Sequence, residues 1–348
     1  MRMRTPALLL LPCALAMGQT SPPSPASVPP QPDSHAALAS AVQKMEHGQT
    51  DEAIALLKPL ASAEPPIKGA AHELGIAYYQ TGKLLDAQRS FAQAIKEDST
   101  DIESVQMEGL TLYRMGQPAA AIPFLERVRQ WTPNANADAN YVLGLCYLNS
   151  QRYDDARGAF AAQYGVAANS AGAYLLLGSM LLRANLPELA ATAAQKAVEL
   201  NPHLPLAHFM LGEVYLFKSN VTAAIAEFEH ERDLNPGYAA VYDRLGDAYT
   251  RTGKYQEAQE ALMKAISLDT SSTGPFIQMG KVLLRRNDPR SAAMYLEHAE
   301  KMDPSNYITH TLLGQAYRSL GSEEDAKREM ELASKIHASS ELKLQPLQ

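Results

Sequence analysis

His72-Glu73 and His230-Glu231 stand in the order that opens an H-E-x-x-H metal helix. That motif needs a second histidine one turn later, so that both imidazoles reach one zinc while the glutamate serves as base. The corresponding positions hold Ile76 and Leu234, so neither pair closes. Leu177-Gly178-Ser179-Met180 is not a G-x-S-x-G nucleophile elbow. Gly82-Lys83 and Gly253-Lys254 lack the glycine five residues earlier and the hydroxyl residue afterwards that a phosphate loop requires. His203 and His208 read as solvent-facing or groove residues rather than metal ligands. Asn220-Val221-Thr222 fits a glycosylation sequon as a single isolated match. The chain is therefore expected not to be an enzyme, with no catalytic residues, no metal and no cofactor.

Cysteine usage points the same way. There are two, Cys13 and Cys146, in neither a disulfide framework nor a metal spacing. Cys146 follows Gly144 within a helical segment and reads as a small buried hydrophobe. Cys13 falls in Leu10-Leu11-Pro12-Cys13, which resembles a lipoprotein box except that Pro12 stands where a small residue belongs, so lipid anchoring there is not expected.

The opening residues have the order of a secretory leader: Arg2 and Arg4, an apolar stretch from Pro6 to Ala16, then small residues around Ala14-Leu15-Ala16 or Ala16-Met17-Gly18. A signal peptide over 1–18 predicts an extracytoplasmic location, periplasmic or secreted. The stretch is too short to span a bilayer, which takes about 20 residues, and no later segment is apolar enough. A proline-rich tether is expected over 19–34, where missing amide donors hold the chain extended. The formal charge is −7, and without Arg2 and Arg4 the balance is 29 basic to 38 acidic residues, or −9. So acidic a chain has no electrostatic reason to bind nucleic acid.

The elements that must position any binding residues announce themselves by repetition. Glycine recurs at Gly75, Gly109, Gly144, Gly178, Gly212, Gly246, Gly280 and Gly314, in steps of 34 apart from one of 35. Twelve residues after each, and after Ala41 one step earlier, stands an alanine: Ala53, Ala87, Ala121, Ala156, Ala190, Ala224, Ala258, Ala292 and Ala326. Leucine precedes most of the glycines, tyrosine or leucine follows three later, and four past the alanine come Leu57, Phe91, Leu125, Phe160, Phe228, Leu262, Leu296 and Met330. Spacings of three and four residues put these groups on one stripe of each helix. Between the columns fall Gly48, Gly82, Gly116, Asn185, Gly253, Asn287 and Gly321, which tolerate the left-handed turn that ends a helix. Each unit therefore predicts helix, tight turn, helix, with the small residues where the two helices cross.

Blocks such as Leu245-Gly246-Asp247-Ala248-Tyr249 followed by Gly253-Lys254-Tyr255-Gln256-Glu257-Ala258 resemble the tetratricopeptide repeat family. The resemblance covers about 34–338, with nine repeats placed over 35–338 and a tail over 339–348. It implies an all-α solenoid, a right-handed superhelix whose first helices line a concave groove that holds an extended peptide or a partner's helix. Family members that are enzymes carry an added domain, and the repeats leave no room for one here. The Lys/Asn carboxylate clamp of some members is not recognisable, since repeat two has His72 and Ile76 there. The fourth repeat departs most, with an extra residue around Pro133 to Ala137 and Gln151 at its turn, which predicts a local irregularity.

Helix geometry selects the groove residues. Positions −3, +1, +4 and +5 about the small residue share a face. Repeats two to six then present Ile76, Tyr79, Tyr113, Tyr141, Leu145, Leu148, Leu175, Leu182, Phe209, Leu216 and Phe217, apolar enough to mark a binding site. Later repeats present Asp243, Asp247, Arg251, Lys281, Arg285 and Arg318. Arg251 is expected to pair with Asp247, whereas Lys281 and Arg285 have no acid on their face and suit a carboxylate. The expected function is a scaffold or adaptor for a protein or peptide partner. The competing readings are a glycan or small-ligand carrier that uses the tyrosines, or an accessory subunit of an envelope polysaccharide, secretion or assembly machine; aliphatics interleaved with the tyrosines favour peptide.

Overall fold

Small residues at a fixed period let paired helices meet closely, and the chain is built from such pairs. The computed structural model describes residues 32–131 and 137–344. It holds 18 helices, and no strand occurs among the described residues. Repeat one is α1 (Pro32–Glu46) with α2 (Thr50–Ala61), repeat two α3 (Ala70–Gln80) with α4 (Leu84–Glu97), and repeat three α5 (Ile102–Arg114) with α6 (Pro118–Trp131). Next come α7 (Ala137–Asn149) with α8 (Tyr153–Gln163), α9 (Ala171–Arg183) with α10 (Pro187–Leu200), and α11 (Ala207–Phe217) with α12 (Val221–Leu234). The last three are α13 (Ala239–Arg251) with α14 (Tyr255–Leu268), α15 (Gly274–Arg285) with α16 (Pro289–Met302), and α17 (Tyr307–Ser319) with α18 (Glu323–Leu344). Each helix packs on its neighbours in sequence, which makes the molecule an α-solenoid.

The columns act as their sizes require. The alanine column is fully buried from Ala53 to Ala292 and 1% exposed at Ala326. Opposite Gly144 lies the ring of Phe160, so close that a Cβ on the glycine would stand 2.5 Å from it, and Gly75 meets Phe91 and Gly212 meets Phe228 in the same way. The fifth repeat solves the contact differently. Its second helix carries Ala194 where the others are bulky, and Met210 of the next repeat supplies the sulfur that lies 2.7 Å from a Cβ on Gly178.

Local signals set the helix ends. Asp101, Ser170, Asn220, Asp288 and Asn306 cap α5, α9, α12, α16 and α17 by accepting from amides of the first turn. The turns inside repeats adopt the left-handed conformation at the glycines and at Asn185 and Asn287, as their residue types predict. Gln151 (φ 59°) and Ser219 (φ 58°) take it too. Neither is favoured there, which costs about 1–2 kcal/mol each, yet the helix pair needs that reversal at that length.

Some boundaries fall elsewhere than the sequence reading puts them. Pro32 opens α1, so the end of the 19–34 tether is helical, a proline being tolerated in a first turn. Helix α18 runs to Leu344, past the boundary at 338. The leader, most of the tether and the irregularity around Pro133 lie outside the described residues. The apolar interior is a chain of clusters, one from Ala41 to Ala94 and the next from Val105 onward. Glu108 stands where repeats two and four to nine place leucine or methionine, and it is 3% exposed.

Candidate partner-binding face

First helices touch first helices of the neighbouring repeat, α3 with α1 and α5, α7 with α5, α11 with α9, and α15 with α13 and α17. No pair of second helices packs that closely among the described residues. A row whose members are closer together is the inside of a curve, so the first helices form the concave wall.

The wall is more completely filled than the sequence implies. Ile76 and Tyr79 are half-buried, and the guanidinium of Arg114 lies 4.4 Å from the Tyr79 ring centre while its Nη1 donates to the Tyr79 carbonyl at 3.3 Å. Tyr113, Tyr141, Leu145, Leu175, Leu182 and Leu216 are half-buried as well. Leu148 is a correction, for at 7% exposure it belongs to the core, packed into the cluster that runs from Val105 to Val214. Phe209 is wedged between Phe228 and Tyr238, with ring centres 5.6 and 5.2 Å away, so much of its surface is already used. Phe217 is the open one, 54% exposed. His72 is tied to repeat three through Ser104 Oγ at 2.8 Å.

Toward the C-terminal end the wall becomes charged. Arg251 pairs with Asp247 at 2.7 Å, as its spacing predicts. Arg244 reaches back from α13 to Glu213 on α11, also at 2.7 Å. Burial pushes the Asp243 carboxyl above its ordinary range, against the pull of Arg244, and its Oδ1 has no hydrogen-bond partner among the described residues. Lys281, Arg285 and Arg318 make no ion pair among the described residues, and Arg285 and Arg318 are exposed. Sequence reasoning missed Arg114 and Arg244. The first occupies a +5 position, where a long cation reaches the preceding ring, while the second stands at −2, outside the four offsets used to trace the groove.

On the opposite side a cleft of about 660 Å³ opens between α8 and α10, floored by α9. Tyr153, Tyr174, Leu181 and Leu189 line it, and Arg157 lies over the Tyr174 ring at 4.4 Å. Its charges cancel locally, Arg157 with Asp154 at 2.5 Å and Lys196 with Glu199 at 3.1 Å. Cys146 is buried, and burial pushes its thiol up to about 12, so it is a packed hydrophobe with no thiolate to offer near neutral pH.

A helix pair repeated nine times with small residues at its crossings defines a helical-repeat protein, and comparison with known families makes the class specific. Tetratricopeptide repeat models match residues 112–178, 175–239, 239–272 and 277–331. The chain belongs to the tetratricopeptide repeat family. It is similar to Anaphase-promoting complex subunit 3 of Schizosaccharomyces pombe, 21% identical over 261 residues that cover 75% of this chain and 39% of that protein. It is also similar to the Protein CTR9 homolog of Arabidopsis thaliana, 22% identical over 73% of this chain and 24% of that one. TPR repeat-containing protein YpiA of Bacillus subtilis is 27% identical over 42% of this chain and 34% of its own length. The chain thus spans less than two thirds of these relatives. Among solved structures, MamA aligns at 21% identity over 47% of this chain and 95% of its own, with a TM-score of 0.44. The APC/C hetero-tetramer Cut9-Hcn1 aligns at 18% over 82% of this chain and 56% of its own, with a TM-score of 0.45. Among the described residues no helix is long and apolar enough to cross a membrane.

Proposed function

We propose that this protein is a non-catalytic interaction scaffold that holds an extended segment of a partner protein against its concave wall, outside the cytoplasm. One observation carries the reading: along a single face, an exposed Phe217 and a row of half-buried aromatics and aliphatics give way to Lys281, Arg285 and Arg318, which have no ion-pair partner among the described residues. Apolar side chains of the partner would meet repeats two to six and an acidic group repeats eight and nine. The acidic total charge of the chain, −7, argues against nucleic acid as that partner. Anaphase-promoting complex subunit 3 is by its name a member of an assembly, which supports an assembly role for this chain as well. Arg2, Arg4 and the apolar stretch after them support export.

Fluorescence anisotropy of a peptide library, apolar at one end and acidic at the other, tests the reading. The Lys281→Glu, Arg285→Glu double variant should lose at least about tenfold in affinity, roughly 1.4 kcal/mol. Unchanged affinity in that variant would overturn the acidic half. The aromatic cleft lined by Tyr153 and Tyr174 favours a second reading, a glycan or small-ligand carrier. Thermal stabilisation by an oligosaccharide panel and not by peptides would select it.

A further inference from the structure

At the C-terminal end of the stack His310, on α17, is 0% exposed and both of its ring nitrogens face acceptors. Nε2 lies 2.9 Å from the carbonyl of Pro304, and Nδ1 lies 2.7 Å from Oε2 of Glu329 on α18. Glu300, on α16, adds a third donor, and the ligand atoms of the three residues lie within 4.8 Å of one another. A carbonyl oxygen only accepts, so Nε2 carries a hydrogen, and Nδ1 either donates to Glu329 or, once a metal displaces its proton, turns a lone pair toward the carboxylates. Acceptors that converge in a buried place need a proton or a metal ion among them.

The chain contains its own comparison. His208 stands at the same place in repeat six, with Nε2 3.1 Å from the Pro202 carbonyl and Nδ1 2.7 Å from Oε2 of Glu227. The residue matching Glu300 there is Val198, so repeat six has one carboxylate beside its histidine. In repeat nine a second carboxylate joins, so that three ligand-bearing side chains converge where repeat six has two. Arg328 approaches the other oxygen of Glu329, at 3.5 Å, from an exposed arm, and leaves Oε2 to His310.

We propose that Glu300, His310 through Nδ1, and Glu329 bind a divalent first-row transition ion of the zinc class, with water as the fourth ligand, which pins α16, α17 and α18 together. One imidazole and two carboxylates suit zinc, whereas calcium and magnesium look for six or more oxygen ligands. The hydrogen bond from Nε2 to a carbonyl is the outer contact that orients a ligating histidine. Tetrahedral zinc sets its ligands about 3.4 Å apart, so Nδ1 and Oε2, now 2.7 Å apart, need to spread while Glu300, the most accessible of the three, closes on them. The site is independent of the partner-binding wall, and either reading stands without the other.

The test uses the full chain, stripped with a chelator and titrated with Zn(II) by calorimetry and with Co(II) by visible absorption. One equivalent should bind, with the d–d bands of a low-coordinate cobalt centre and a rise in Tm on adding zinc. Glu300→Gln should weaken zinc at least about tenfold while leaving the circular dichroism unchanged, and Val198→Glu should add a second equivalent at repeat six. No zinc-dependent change in Tm, meaning that the site holds a proton only, overturns the proposal. So does zinc affinity that Glu300→Gln leaves intact.

Discussion

The hydroxyl of Tyr317 donates to Oε1 of Glu297 across 3.0 Å, a strut from α17 to the second helix of the preceding repeat. Tyr147 with Glu126 and Tyr249 with Glu229 make the same strut. The two positions change together along the whole chain. Where the first is tyrosine the second is polar, as in Tyr78 with Lys58 and Tyr215 with Gln195. Where it is leucine the second is apolar: Leu112 with Ala92, Leu181 with Ala161, Leu283 with Met263. A phenol at a tight joint needs a polar neighbour, and leucine does not. The large cleft between α8 and α10 opens at one of the joints where ring and carboxylate are both missing.

The strut should therefore carry a coupling energy. Tyr317→Leu is expected to cost about 1–2 kcal/mol, and adding Glu297→Ala to cost less than the sum, with a coupling near 1 kcal/mol. Urea unfolding of the two single variants and the double variant measures it. Strict additivity would mean that the residues change together for shape alone.

Glu108 predicts a pH dependence. Burial pushes its carboxyl up to about 7 from 4.5, a hydrogen bond with Gln88 lowers it only in part, and Oε2 has no partner. Between those two values the unfolded chain has given up its proton while the folded chain keeps it. Stability then falls as pH rises across that window and levels off above it. Glu108→Gln should remove a loss of up to about 3 kcal/mol, and Glu108→Leu, which restores the column, should do at least as well. The difference in urea midpoint between variant and parent should be small at about pH 5 and large at about pH 8. An equal difference at both would show that Glu108 keeps an ordinary carboxyl.

The glycine column should not respond uniformly. Gly144→Ala drives a methyl into the Phe160 ring, which the alanine column holds in place, and should cost about 1–3 kcal/mol. Gly178→Ala meets only the flexible sulfur end of Met210, and helix propensity returns about 1 kcal/mol, so it should come out near neutral. Thermal melts of the two variants separate the cases, and equal losses would contradict the exchange of Ala194 for Met210.

The repeat, its helix pairs and its crossings were legible because side-chain size at a close contact permits few alternatives, and thirty-four residues later the same constraint returns. The joints between repeats were legible in principle too, in columns such as Glu297 and Tyr317, but they stand about twenty residues apart on different repeats, beyond a search within one unit. The groove was harder to read. Helix offsets place Leu148 and Phe209 on the right face but say nothing of how deeply the next helix pair covers them, and burial is set by that neighbour. The His310 cluster escaped because its donors come from three helices with no motif spacing.

Phe217 gives the sharpest test of the apolar half of the wall. It is 54% exposed, so Phe217→Ser should change stability by no more than about 0.5 kcal/mol. Phe228, fully buried one helix later, should cost about 3–5 kcal/mol as Phe228→Ala. If partners seat an apolar side chain against the wall, Phe217→Ser weakens peptide binding several-fold with an unchanged melting curve, because the lost surface belongs to the complex and not to the fold. Binding that is indifferent to Phe217→Ser would move the partner off this part of the wall, and the cations at Lys281, Arg285 and Arg318 would then have to anchor it alone.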